Sequence, residues 1–258
     1  MSSTLDEQTA VAVAQLHDWV HKHSTLIKCN NIVFADGSDA EFHRVSAMMV
    51  ASGSLIPLSR RPRSFAARSN ALDVARVEGK TFICSPCGPL NNYMDPTLAR
   101  DRLTTLFTGS ARGRTLYVIA FRMGPPHALG SKLAVQLTDS AYVLLATHIM
   151  GAVAPFETLA KTVSKDAVKN WVKLIHSMGM PLEEENVADV PWPCSPSQVI
   201  IAHFPDSREV SSFGSNYGGN ALLGKKCLSL RLGSVLARDE GWFAEHMAIL
   251  GIENPYSN

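Results

Sequence analysis

The stretch FGSNYGGNALLGKK, residues 213–226, constrains this chain more than any other. It holds four glycines, a tyrosine, two asparagines and two adjacent lysines. Glycine lets a backbone turn tightly and approach a ligand with no side chain between them. Helical character returns where the lysines stand. A glycine-rich turn opening onto a helix N-terminus, with cations attached, is the physics of an anion site. Just upstream, residues 199–204 and 209–213 read as two strands joined by a turn at Pro205-Asp206, a hairpin that delivers the chain to this turn.

The remaining segments supply a scaffold of both element types. Val13, Leu16 and Val20 have the spacing of an amphipathic helix over 5–23, and 32–35 reads as a short strand. Ser38 and Glu41 form a capping box, opening a helix through Phe42, Val45 and Met49 that stops near Gly53. A helix is expected over 96–107, and strands over 115–121 and 133–137, the first broken by Met123-Gly124-Pro125-Pro126. Asp139 or Ser140 caps a helix over 142–150. Val168, Trp171, Val172 and Ile175 recur at helical spacing, predicting a further helix that closes at Gly179. Glu183, Glu184 and Glu185 read as a solvated loop, and 192–196 as a rigid connector. A helix over 228–239 and a strand over 243–252 carrying His246 close the chain. Strands and helices mix without strict alternation, so the fold class is α/β, a mixed sheet with flanking helices in one domain across 1–258.

Composition removes several functions. The chain is 46% hydrophobic and 18% charged with net charge +1, an ordinary globular balance. It lacks the positive excess of a nucleic-acid binder. No apolar run reaches the length of a membrane span, and the start MSSTLDEQ is polar, unlike a leader peptide. Five scattered cysteines fit a reducing compartment, so a cytoplasmic location and no membrane or nucleic-acid partner are expected.

Candidate chemistry lies at a few positions. His17 and His21 share a helical face but have no further ligand nearby, and surface histidines are the favoured reading. Arg60, Arg61, Arg63 and Arg68 read as a solvated basic loop. Arg76 stands between Val74 and Val77, with Asp73 and Glu78 close in sequence. Carboxylates of that kind can orient a guanidinium toward a ligand carboxylate or phosphate, or form a structural salt bridge with it. Cys84 and Cys87 make an isolated C-x-x-C, and without a second pair packing is favoured over zinc. GNALLGKK, residues 219–226, ends in Lys226 where a P-loop has the hydroxyl that holds magnesium, so an ordinary nucleotide P-loop is not expected. Adjacent lysines repel each other, and in a desolvated site one becomes available as a base or metal ligand. His246, twenty residues beyond Lys226, is its candidate companion.

The run from Phe213 to Cys227, together with DVARVEGKTFI, GRTLYVIAFRMGP, LTDSAYV, HSMG-PL, WPC-P and EGWFAEHMAILGI-NP, resembles GTP-dependent phosphoenolpyruvate carboxykinase. The motifs occur in the family's order from about Trp19 to Pro255. The resemblance implies the N-terminal domain of that fold and the reaction of oxaloacetate and GTP to phosphoenolpyruvate, GDP and carbon dioxide, in gluconeogenesis. It implies that Arg76, Tyr217, Gly218 and Gly219 bind oxaloacetate or phosphoenolpyruvate, that Lys225 sits beside the transferred phosphoryl group, and that Lys226 and His246 are two of three protein ligands of a catalytic Mn2+. The family's nucleotide lobe, with its P-loop and guanine pocket, has no counterpart in the sequence. The GTP site and the third metal ligand are therefore expected from a C-terminal lobe or a full-length enzyme acting as partner, and the isolated chain is expected to be inactive. The competing expectation is a non-catalytic module that binds oxaloacetate or phosphoenolpyruvate. Asn216 stands where the family has glycine and is expected to crowd the pocket; Ala120 and Arg122 replace proline and serine.

Overall fold

A computed structural model describes residues 7–75, 77–85, 92–128, 130–182 and 190–241. Its strands, in chain order, are β1 (Asn31–Phe34), β2 (Ile56–Pro57), β3 (Phe65–Ala66), β4 (Thr81–Ile83), β5 (Thr115–Met123), β6 (Lys132–Thr138), β7 (Ala152–Val153), β8 (Val172–Ser177), β9 (Ile200–Phe204) and β10 (Glu209–Phe213). The α-helices are α1 (Glu7–Ile27), α2 (Asp39–Ala51), α3 (Pro96–Phe107), α4 (Ala141–Met150), α5 (Phe156–Ala160), α6 (Lys165–Lys169), α7 (Gly218–Ala221) and α8 (Gly233–Asp239). The main sheet runs β1-β5-β6-β8-β10-β9-β4, with β7 paired to β5, while β2 and β3 form a separate ribbon. β5–β6 and β10–β9 are antiparallel, and β1–β5, β6–β8, β10–β8 and β4–β9 are parallel.

Side chains alternate across the pleat, so each central strand feeds two cores. Leu116, Val118 and Ala120 of β5 join Leu133, Val135 and Leu137 of β6 on one face, beneath α1, α3 and α5. Tyr117, Ile119 and Phe121 turn the other way, with Ala134 and Leu174, beneath α2, α4 and residues 221–232. Full burial of each such aliphatic or aromatic side chain contributes roughly 1.5–3 kcal/mol.

The expected helix through Val172 and Ile175 is corrected. The helix there is only α6, and VKLIHS is the strand β8, parallel to both of its neighbours. A strand covered on both faces has no polar side to its pattern, and its apolar spacing then mimics a helix. Ser38 caps α2 as expected, its Oγ accepting from Glu41 N at 3.0 Å. The reciprocal bond differs from the standard box: Glu41 Oε2 accepts from Asp36 N and Gly37 N, each at 3.2 Å, and pairs with His148 Nε2 at 2.8 Å. The last helix begins earlier than its apolar spacing indicates. Gly224–Leu232 is a π-helix, with Leu228 N donating to Leu223 O at 2.8 Å, and it runs directly into α8. The loop assigned to Glu183–Glu185 and the strand assigned to 243–252 lie outside the described residues.

Topology gathers several distant segments at one edge. Ser177 and Phe213 are register partners, as are Thr138 and His176, so β6, β8 and β10 end together. Because β9 is antiparallel to β10 and β4 is parallel to β9, these two strands begin at that same edge. The segments at 73–75, 139–142, 177–179, 192–199 and 214–226 therefore meet beyond the carboxyl ends of the parallel strands, the usual location of a site in such sheets.

Candidate functional site

The centre of this edge is a buried carboxylate. Asp73 is 4% exposed. Its Oδ1 accepts from Ser215 Oγ at 2.6 Å, and its Oδ2 accepts from Asn216 N at 2.9 Å and Trp192 Nε1 at 2.8 Å. Asn220 Nδ2 donates to Val74 O at 2.9 Å and to Ser215 Oγ at 3.0 Å. These bonds sew the glycine-rich loop to the backbone just before Arg76 and to the WPC connector. Sequence reading cast Asp73 as a partner for Arg76. Its carboxylate serves the loop and Trp192, and Arg76 itself lies outside the described residues.

Two further buried side chains shape the loop from below. His176 Nε2 meets Ser215 O at 2.7 Å, and Nδ1 meets Thr138 Oγ1 at 2.8 Å. A carbonyl only accepts, so Nε2 carries the proton and Nδ1 accepts from Thr138. Burial holds the His176 pKa below its ordinary value, in keeping with that neutral form. Gln136 grips the other end: its Nε2 donates to Ala221 O at 2.7 Å and its Oε1 accepts from Leu223 N at 3.3 Å. This amide stabilises the break between α7 and the π-helix.

The four glycines divide by task. Gly214 leaves β10 with φ +87° and has Ser195 O 2.8 Å from where a Cβ would lie, so the turn tolerates nothing larger. A Cβ on Gly224 would lie 2.8 Å from the Phe121 ring, so this glycine serves core packing. Gly218 backs onto Tyr142, whose hydroxyl would stand 3.1 Å from an added Cβ. Gly219 has Lys226 beside it: Nζ would be 3.5 Å from a Cβ there, and Ala75 O 3.6 Å. Tyr217, Gly218, Gly219 and Lys226 are thus brought together with the segment that leads into Arg76. Lys225 is exposed at the start of the π-helix, and Lys226 is half-buried. His246 lies outside the described residues.

Asn216 does not project from the loop as expected. It is 3% exposed, and its Oδ1 accepts from Ser140 Oγ at 2.7 Å, tying the loop to the N-cap of α4. Its φ is not left-handed. Beside it, Tyr142 packs on Trp192 with ring centroids 5.3 Å apart, and burial together with neighbouring Tyr217 raises the Tyr142 hydroxyl pKa. These two rings, Asn216 and Tyr117 line a cavity of about 250 Å3 behind the loop.

The other candidates have structural surroundings. His17 packs against Phe34 and Phe156, and His23 Nδ1 donates to Trp19 O at 2.8 Å. Arg63 pairs with Asp39 at 2.9 Å and lies over the Phe42 ring. Cys84 is buried and its thiol is pushed up to about 11, while Cys87 lies outside the described residues. No group of three or more His, Cys, Asp or Glu side chains among the described residues could hold a metal ion, and no helix there is long and apolar enough to cross a membrane.

The family model of the phosphoenolpyruvate carboxykinase N-terminal domain matches residues 18–238. The chain belongs to this family. Among its relatives, a phosphoenolpyruvate carboxykinase (GTP) of Renibacterium salmoninarum is 49% identical over 247 residues, covering 93% of this chain and 40% of that protein. The enzyme of the same name from Corynebacterium efficiens is 45% identical over 253 residues, covering 93% and 39%. That of Corynebacterium glutamicum is 46% identical over 247 residues, covering 93% and 40%. The chain therefore spans about 40% of the length of these carboxykinases. The match covers the mixed sheet and every segment of the edge described above. His176, Gln136 and Trp192 escaped the sequence reading of the site, although all but Gln136 fall within motifs quoted for the resemblance, and Asp73 was singled out only as a neighbour of Arg76.

Proposed function

We propose that this chain, as one N-terminal carboxykinase domain, supplies the substrate and manganese side of the GTP-dependent conversion of oxaloacetate to phosphoenolpyruvate and carbon dioxide. The observation that carries this reading is the position of Gly219, which has Lys226 Nζ and the Ala75 carbonyl each close to it, next to Tyr217 and Gly218 in the loop. The chain's family and the matching relatives support it.

In this reading Arg76 offers a guanidinium fork to a substrate carboxylate or phosphate. Tyr217, Gly218 and Gly219 line the pocket, with the glycines admitting the substrate close to the backbone. Lys225, exposed at the start of the π-helix, faces the phosphoryl group in transfer and offsets its charge. Loss of carbon dioxide from oxaloacetate leaves its C–C bonding pair as an enolate, whose oxygen attacks the γ-phosphorus of GTP as the bond from that phosphorus to the bridging oxygen breaks and GDP leaves. Lys226 and His246 would supply nitrogen donors for Mn2+, as two of the three protein ligands this reading assigns. A bound Mn2+ supplies Lewis-acid stabilisation of oxygen charge. The nucleotide side is assigned to the part of the carboxykinases outside the match. A cytoplasmic location accompanies this reading.

Calorimetry of the 258-residue chain with phosphoenolpyruvate and Mn2+ tests it. Binding is expected, weakened at least about tenfold by Lys226→Met or Arg76→Ala, with no GTP-dependent carbon dioxide release by the chain alone. Equal binding by all three proteins, or none by the unmodified chain, overturns the assignment.

A further inference from the structure

We propose that Asp73 is a positioning residue: a buried carboxylate, accepting on both oxygens, that fixes the glycine-rich loop against residues 73–75 and so sets the affinity for the anionic substrate. This rests on the reading of that loop as the substrate site. The hydrogen-bond roles are fully determined. Ser215 Oγ receives Tyr217 N at 3.2 Å and Asn220 Nδ2 at 3.0 Å, which occupies both of its lone pairs. Its own proton therefore goes to Asp73 Oδ1. At Oδ2 the partners are Asn216 N and Trp192 Nε1, each able only to donate. Both carboxylate oxygens act as acceptors toward every one of these partners.

That determinacy makes the isosteric Asp73→Asn change informative. An amide NH2 placed at Oδ2 would face two N–H donors. Placed at Oδ1, it would face a hydroxyl whose lone pairs are already taken, and the hydroxyl proton would lose its acceptor. Either orientation leaves a donor facing a donor in a buried setting, where a lost partner is costly. The strain falls on the joint between residues 73–75 and 215–217. Substrate-facing groups on the two sides are then no longer held at one spacing. Ser215→Ala alone already breaks the Ser215–Asp73 bond and takes the acceptor from Tyr217 N, so each single change removes the same bond and the double change cannot remove it twice. Asp73→Asn and Ser215→Ala should therefore combine less than additively.

The test uses the 258-residue chain in two independent measurements. Phosphoenolpyruvate binding in Mn2+ should weaken roughly 10–100-fold in Asp73→Asn, and in Asp73→Asn/Ser215→Ala by less than the product of the two single effects. The Trp192 indole N–H proton resonance, assigned by its absence in Trp192→Phe, should lie downfield in the unmodified chain and move upfield in Asp73→Asn, since the bond loses its charge assistance. Normal phosphoenolpyruvate affinity in a folded Asp73→Asn overturns the positioning role while leaving the substrate reading intact. Absence of binding by the unmodified chain sinks the substrate reading, and with it the affinity role. In that case a shifted Trp192 resonance still reports the clamp as a purely structural device. Should Asp73→Asn fail to fold, Trp192→Phe takes its place: it deletes one donor and is expected to weaken binding by a smaller factor, and unchanged binding there refutes the proposal.

Discussion

Gly224→Ala isolates the packing role of the glycine that opens the G-K-K run. An added Cβ would lie 2.8 Å from both Cε2 and Cζ of Phe121. Carbon atoms in good contact stand about 3.5–4.0 Å apart, so the methyl intrudes by roughly 0.7–1.2 Å. The ring has little room to retreat. Phe121 is 1% exposed, and Gly151 closes its other side, where a Cβ would stand 3.4 Å from Cδ2. Overpacking of this kind costs about 1–3 kcal/mol. Replacing glycine in a helix returns about 0.5–1 kcal/mol, leaving a net loss on the order of 1–2 kcal/mol. Urea unfolding of the 258-residue chain, followed by circular dichroism, measures this as a lowered midpoint at unchanged slope. Phe121→Leu removes the obstructing ring edge, so the double variant should be more stable than the two single losses predict. A Gly224→Ala protein as stable as the parent, or strictly additive losses, would refute the packing argument. The same residue starts the helical turn bearing Lys225 and Lys226, so its displacement should also weaken Mn2+ binding.

Stability should fall on mild acidification. Burial lowers the His203 pKa to about 4, and its Nε2 has no hydrogen-bond partner among the described residues, while an unfolded histidine titrates near 6.5. Above about pH 6.5 both states are neutral and the residue adds no pH dependence. Between about 6.5 and 4 the unfolded chain takes up a proton that the folded chain refuses, so this residue removes roughly 3 kcal/mol across the window. His203→Leu should show a flatter urea-midpoint profile between pH 7 and 5, and an unchanged slope would contradict the assignment. Gln136→Leu leaves Ala221 O and Leu223 N buried without their partner; a loss of roughly 2–5 kcal/mol is expected from the same unfolding assay. A loss below about 1 kcal/mol would mean that water or a rearranged backbone satisfies both groups.

The scaffold was legible wherever one face of an element meets solvent or a capping residue marks its end. Helix α3 starts and stops where its signals place it, with Asp95 accepting from Thr97 N and Leu98 N. The 199–213 hairpin pairs as expected. Strand β8 was misread because both of its faces are covered and its polar residues, Lys173 and Ser177 on one face and His176 on the other, do not alternate with apolar ones, so the pattern that betrays a half-buried strand is missing. Motif spacing drew attention to the glycines and lysines but could not tell a glycine facing a ligand from Gly224, whose neighbour Phe121 lies more than a hundred residues away in sequence. The buried supports were silent for a related reason. Asp73, Gln136 and His176 carry no local pattern, and their partners became visible only once the sheet brought them together.

The spacing of those supports along the chain has a kinetic consequence. Asp73 bonds to Ser215 across 142 residues, and Asn220 to Val74 across 146. The β9–β10 hairpin, by contrast, closes between Phe204 and Glu209. By loop-closure entropy, meeting across the longer span costs about 3 kcal/mol more than closing the hairpin. The hairpin can therefore form early and locally, whereas the clamp must await nearly the whole sheet. A ligand that needs the clamped loop would bind only molecules that have finished folding, and ligand binding during refolding would serve as a clock for the last contacts made.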